Sequence, residues 1–172
     1  MTSNDLLYAF KAFTEDAVKD LLLPVKMQKE DTEQPGDRPP TVYLMRLPDT
    51  KSATKKAPYI LHQKVTGEDF QETGQPTRAT VTVRSVFCVY DSDEQVGGLS
   101  LNECMERVRI GILKERKLAN RYALCMRKGE HPQTMVYPDD TAPYYVGEMV
   151  TVWELPAVER EVKLHEQFKD YF

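Results

Sequence analysis

The chain is poor in the residues that most often carry chemistry. It has three histidines and three cysteines in 172 residues, and none of these stands at metal-ligand spacing from another. Cys88, Cys104 and Cys125 are odd in number and contain no C-x-x-C, which removes a disulfide framework as organiser of the fold. In an apolar strand or helix such cysteines act as small hydrophobes. Neither G-x-x-x-x-G-K-[ST] nor G-x-G-x-x-G occurs, so no phosphate-cradling loop is expected. No apolar run approaches the ~20 residues that cross a bilayer, and a membrane is not an expected partner. Acidic residues outnumber basic ones, 27 to 23, a balance that argues against nucleic-acid specificity. The opening Met1-Thr2-Ser3-Asn4-Asp5 lacks the basic and apolar regions of a secretory signal, which makes a cytosolic protein the default expectation.

What is present is the composition of one globular domain with a sizeable core, at 41% hydrophobic and 29% charged. The spacing of Leu6, Phe10, Phe13, Ala17 and Leu21 predicts an amphipathic helix over Asn4–Leu23, capped by Thr2, Ser3 or Asn4 and stopped at Pro24. A proline-rich loop, Glu30–Pro40, leads to a short strand, Thr41–Leu47. After a polar, lysine-bearing loop at Asp49–Lys56 comes a second strand, Ala57–Val65, with Pro58 at its start or at a sheet edge. Gly67–Thr77 reads as another loop.

The centre of the chain is a strand, a helix and a strand. Thr80–Tyr90 alternates, with Val81, Val83, Ser85, Phe87 and Val89 on one face, and it is long enough to span the domain. It ends at the acidic turn Asp91-Ser92-Asp93-Glu94 and the flexible pair Gly97-Gly98. Ser100 and Glu103 form a capping box that opens a helix to Lys117, with Leu101, Met105, Val108 and Ile112 as its buried stripe. Tyr122–Arg127 is a short strand, Gly129–Pro143 a loop, and Tyr144–Leu155 the closing strand, stopped by Pro156. The predicted class is α+β: a mixed or antiparallel sheet of about five strands, order α-β-β-β-α-β-β, with two main helices packed on it. Residues 1–156 form the domain. The charged tail 157–172 carries a weak helical stripe of Val158, Val162, His165 and Phe168 or Lys169.

No residue set in this pattern demands catalysis. His62 sits in a strand, His131 precedes a proline and His165 lies in the tail, and each reads as a polar surface residue. The acidic turn has alternating oxygen ligands but lacks the twelve-residue calcium-loop spacing. Its carboxylates would also repel a phosphate brought to the following helix N-terminus. No catalytic residue, cofactor or metal is therefore expected. Trp153, the one tryptophan, shares a strand face with Tyr145, Met149 and Thr151. It reads either as a core anchor or as a subunit-interface residue. The cations Arg107 and Arg109 lie off the buried stripe of their helix, on its charged outer face.

These elements resemble the tail terminator (tail completion) proteins of bacteriophages with long, flexible, non-contractile tails. They are also similar to related minor tail proteins of prophages in Gram-positive bacteria. The carriers are the N-terminal helix, Val42-Tyr43, Pro58-Tyr59-Ile60-Leu61, the strand Val81–Tyr90 ending in Asp91, the helix Ser100–Lys117 and the closing Gly147–Pro156. The resemblance implies a ring, commonly a hexamer, that caps the tail tube, ends its polymerisation and receives the head. Its implied partners are copies of itself, the tail-tube protein and head connector proteins. Its place is the virion tail, with assembly in the host cytoplasm. Interface candidates are Arg107, Arg109, Tyr145, Met149 and Trp153. The loops Asp49–Lys56 and Thr66–Thr77 are expected to order on docking. The alternatives are a head–tail connector or neck adaptor, a small ligand-sensing α+β regulator that dimerises through its sheet, and a small enzyme built from scattered Asp and His residues.

Overall fold

Thr2 starts the first helix. Its hydroxyl accepts the Asp5 amide at 3.3 Å while the Asp5 carboxylate accepts the Thr2 amide at 2.7 Å, so two donors at the helix end are satisfied reciprocally. The computed structural model describes residues 2–48, 56–137 and 141–160. In it α1 (Ser3–Val18) and α2 (Glu94–Glu115) pack on one face of a mixed sheet. The strands are β1 (Thr41–Leu44), β2 (Tyr59–Phe70), β3 (Arg78–Tyr90), β4 (Lys117–Leu118), β5 (Tyr122–Leu124), β6 (Gln133–Tyr137) and β7 (Tyr144–Leu155). The α+β class and the order α-β-β-β-α-β-β hold, with the short strands β4 and β6 added. No helix among the described residues is long and apolar enough to cross a membrane.

β2, β3 and β7 form the centre of the sheet. β1 joins β2 in parallel, and every other pairing is antiparallel. Both β5 and β6 border the far side of β7, at different heights: β5 meets Trp153 and Glu154, whereas β6 meets Val146 to Val150. β1 covers only Tyr59 to His62 of β2. Each half of the sheet therefore ends on a different pair of outer strands.

The alternation read for the long strand is the observed one. Val81, Val83, Phe87 and Val89 of β3 and Met149 and Trp153 of β7 face the helices in one core, with Leu6, Phe10, Leu101, Cys104, Met105, Val108 and Ile112. On the opposite face Tyr59, Leu61 and Cys88 form a smaller cluster with Leu47 and Ala57.

Several boundaries differ from the sequence reading; β1 and β5, for example, end three residues early, at Leu44 and Leu124. α1 ends at Val18, short of the expected Leu23, because Leu23 exchanges backbone hydrogen bonds with Arg38 at 2.9 and 3.0 Å. Its buried face is Leu6, Leu7, Phe10, Thr14 and Val18, which leaves Phe13 on the flank turned to α2. β2 continues to Phe70, so the expected loop Thr66–Thr77 shrinks to 71–77. The expected loop Gly129–Pro143 holds β6. α2 begins at Glu94 rather than Ser100: Asp93 caps it, its carboxylate accepting the Gln95 amide at 2.9 Å. The Ser100–Glu103 pair thus lies inside the helix. The expected loop Asp49–Lys56 lies outside the described residues apart from Lys56, and so does the tail beyond 160.

Gly97 and Gly98 consequently sit in the first turns of α2, not in a flexible turn. The Tyr145 ring of β7 lies against Gly97, and a Cβ there would overlap it, whereas a Cβ at Gly98 would meet nothing within 4 Å. Gly97 is what lets the helix approach the sheet. Gly97→Ala is expected to destabilise the protein by about 1–3 kcal/mol through overpacking. Gly98→Ala should stabilise it by up to about 1 kcal/mol, since alanine is the better helix former. Urea titrations of both variants, and of Gly97→Ala in a Tyr145→Ala background where the penalty should vanish, check this.

Candidate functional site

Of the two histidines among the described residues, His62 is deep in the core and His131 is exposed. His62 is 0% exposed, which corrects its reading as a polar surface residue. Its Nε2 lies 2.9 Å from Thr14 Oγ1 on α1, and its Nδ1 lies 2.7 Å from Ser85 Oγ on β3. The Phe10 ring stacks on the imidazole at 4.1 Å, and Phe10 meets Trp153 edge-on at 5.3 Å. A neutral imidazole offers one donor and one acceptor, and two hydroxyls complete both. Burial lowers the His62 pKa to about 3, because the charged form has no water and no counter-ion there. A serine, a histidine and a threonine are in contact, yet all three side chains are closed off from solvent. No substrate reaches them, and the arrangement joins α1 to the sheet.

The carboxylates of the acidic turn are engaged locally. Asp91 accepts the Asp93 amide and Asp93 caps α2. Among the described residues no cluster of three or more metal-ligating side chains occurs. The thiols of Cys88 and Cys104 are pushed up by burial to about 11 and about 12, and Cys125 is raised by burial as well. All three are free and buried, far from the thiolate state that a nucleophile needs.

The interface candidates fall into three groups. Met149 and Trp153 are fully enclosed by the chain's own core, and the Trp153 indole donates to Thr151 Oγ1 at 2.9 Å. Of the two readings of Trp153, the core anchor is the observed one. Tyr145 is half-buried over Gly97. Burial, and then the carboxylates of Glu94, Asp91 and Asp93, raise its phenol pKa. Arg107 and Arg109 lie on the outer surface of α2. Arg107 bridges Glu103 at 2.9 Å and Asp20 at 2.7 Å, holding α2 to the segment after α1. Arg109 holds Glu106 with two hydrogen bonds at 2.8 and 2.6 Å, which lowers the Glu106 pKa. A groove of about 410 Å³ lies between α1 and α2, floored by Phe13, Ala17 and Ile110 and rimmed by charged side chains of both signs.

The sheet's outer face has features that sequence reasoning missed. Arg84 of β3 and Glu148 of β7 pair across its middle, flanked by the half-buried Val86 and Val146. Met135, Tyr137 and Val150 are 52%, 39% and 36% exposed. The register Met135↔Glu148 and Tyr137↔Val146 puts them on the same face. At the opposite end Arg78 of β3 donates to Glu130 at 3.0 and 2.8 Å and to Glu154 at 3.1 Å, with the Phe70 ring beneath its guanidinium. The signal for β6 was available in the uncharged run Gln133-Thr134-Met135-Val136-Tyr137, rich in strand formers and bounded by two prolines. The Arg78 pairings join residues too distant in sequence to be read from it.

No family model matches the chain, and no curated protein matches it.

The His62 environment generates a pH signature. The unfolded imidazole titrates near ~6.5 and the folded one at about 3. Stability is therefore whole above pH ~6.5 and falls as the pH drops towards the folded value, since protons then bind the unfolded chain preferentially. A loss of about 1.5–2 kcal/mol between pH 6.5 and 5 is expected from this group alone. Urea midpoints across that window should fall for the parent and flatten for His62→Gln. Equal slopes in the two would remove His62 as the cause.

Proposed function

We propose that this chain is a structural subunit that works through its surfaces. It assembles as a ring on the end of a long-tailed bacteriophage's tail tube, ends tube polymerisation and offers the joining surface for the head. The observation that carries the reading is the contrast between the two faces of the sheet. The polar side chains suited to catalysis, His62, Ser85 and Thr14, are sealed in the core. The outer face leaves Met135, Tyr137 and Val150 exposed around one ion pair, and an exposed apolar cluster of this kind marks protein contact. The element order that underlies the likeness to tail terminators is retained in the fold. A subunit that acts by assembly has no need of a substrate cavity, and its energy comes from repeated interfaces. On this reading the protein is not an enzyme and binds no cofactor.

Light scattering after size exclusion, with and without polymerised tail-tube protein, tests this. The expected outcome is binding to tube ends at ring stoichiometry. A stable dimer that ignores tubes would sink the reading and favour a regulator. Binding to portal-side proteins and not to tubes would move the chain to the neck.

A further inference from the structure

We infer that the ring forms by sheet continuation, with the outer edge of β6 in one copy pairing with the outer edge of the β2 extension, residues 66–70, in the next. This rests on the ring reading above and names its interface. Among the described residues, β2 beyond His62 has no strand on its outer side, and β6 has a neighbour only in β7. These open edges differ from each other and lie on opposite sides of the sheet. Joining one to the other is a heterologous contact, which propagates from copy to copy and closes when the rotation permits.

Several observations select this pairing over like-with-like contact. All five residues of β6 are exposed and none is charged, and no proline or bulge falls within the strand, whose ends Pro132 and Pro138 mark. The β2 edge carries Glu68 and Asp69, with Glu72 just beyond, so two copies of that edge would repel each other. The turn that leads into β6 presents Lys128 and His131, both exposed. Within one chain β2 and β6 run in opposite directions, so a continued sheet pairs them antiparallel. Face matching then fixes the register. Thr66 and Glu68 pair with Thr82 and Thr80, on the face that carries Arg84 and Glu148, and Met135 and Tyr137 lie on that same face. Setting Met135 beside Glu68 therefore brings outer face to outer face. It places Tyr137 against Thr66, Gln133 against Phe70 and Val136 against Gly67. Lys128 and His131 then approach Glu72, while Glu130 of the same turn is held by Arg78 of its own chain.

The same register describes the ring. In one chain Tyr137 stands level with Cys88, through Val146, but in the next copy it pairs with Thr66, which stands level with Thr82. Each step thus slides six residues along the strand, from Cys88 to Thr82, or ~20 Å, while crossing four strand spacings, ~19 Å. The strands are inclined to the ring axis by about 45°, beside the ~35–45° of closed barrels. Six such steps place the sheet roughly 30 Å from the axis.

The test mixes two variants of the full chain, each with one added cysteine, Met135→Cys and Glu68→Cys, with a short bismaleimide. The native thiols are buried and contribute little background. The expected result is crosslinking between unlike variants at least tenfold above that within either variant alone. Glu72→Lys and Lys128→Glu should each lower the assembled fraction severalfold, and the two together should restore it, with circular dichroism unchanged throughout. Ring-sized particles without this crosslink and indifferent to the charge swap would overturn the edge pairing and leave the ring reading standing. The crosslink and the rescue in open filaments would uphold the pairing and overturn the ring. Crosslinks only between two Met135→Cys copies, or a monomer at millimolar concentration with no crosslink, would overturn the pairing.

Discussion

The imidazole of His62 has no counter-ion and no water, so it must be neutral and must be hydrogen-bonded at both nitrogens. Thr14 and Ser85 meet that demand from two different elements. One side chain thereby fixes how α1 lies across β2 and β3. The Phe10 ring stacked on it and the Trp153 ring beside Phe10 extend the constraint to β7. An apolar residue in the same place would fill the volume, but it would leave the two buried hydroxyls without a partner in the imidazole. The two hydrogen bonds together hold helix and sheet at the angle observed.

With α1 held there, α2 is held by shape. Gly97 admits the Tyr145 ring, and a Cβ at Gly111 would stand 2.8 Å from the Phe13 ring of α1. Both glycines mark contacts where a helix must come close to a bulky neighbour. The helices cover one face of the sheet, and the other keeps its Arg84–Glu148 pair and exposed apolar side chains. The difference between the faces organises both functional proposals.

Much of the fold was legible because its signals are local. The alternation of Val81, Val83, Ser85, Phe87 and Val89 depends only on the pleat, and it survives unchanged in the core. Helix ends were harder. Pro24 looked like the stop of α1, but the Leu23–Arg38 bridge ended it sooner, and that bridge is a tertiary event. Asp93 outcompeted Ser100 as the cap of α2 because Gly97 and Gly98 tolerated helix where propensity argued for a turn. Thr14 is absent from the stripe read in the sequence, and only its partner across the core shows why it is buried. Arg107 and Arg109 were read as cations on the charged outer face of their helix, and the structure pairs each with nearby carboxylates. The edges of the sheet were least legible, since an edge is defined by what does not pair with it.

Arg78 sits at the root of the β2–β3 hairpin and grips Glu130, just ahead of β6, and Glu154, near the end of β7. Its side chain is 12% exposed, against 31% for Glu130 and 44% for Glu154, so the Glu130 contact is the better shielded of the two. The hairpin and the turn before β6 thus share one rivet. A displacement at one margin of the sheet is thereby coupled, through one guanidinium, to the other.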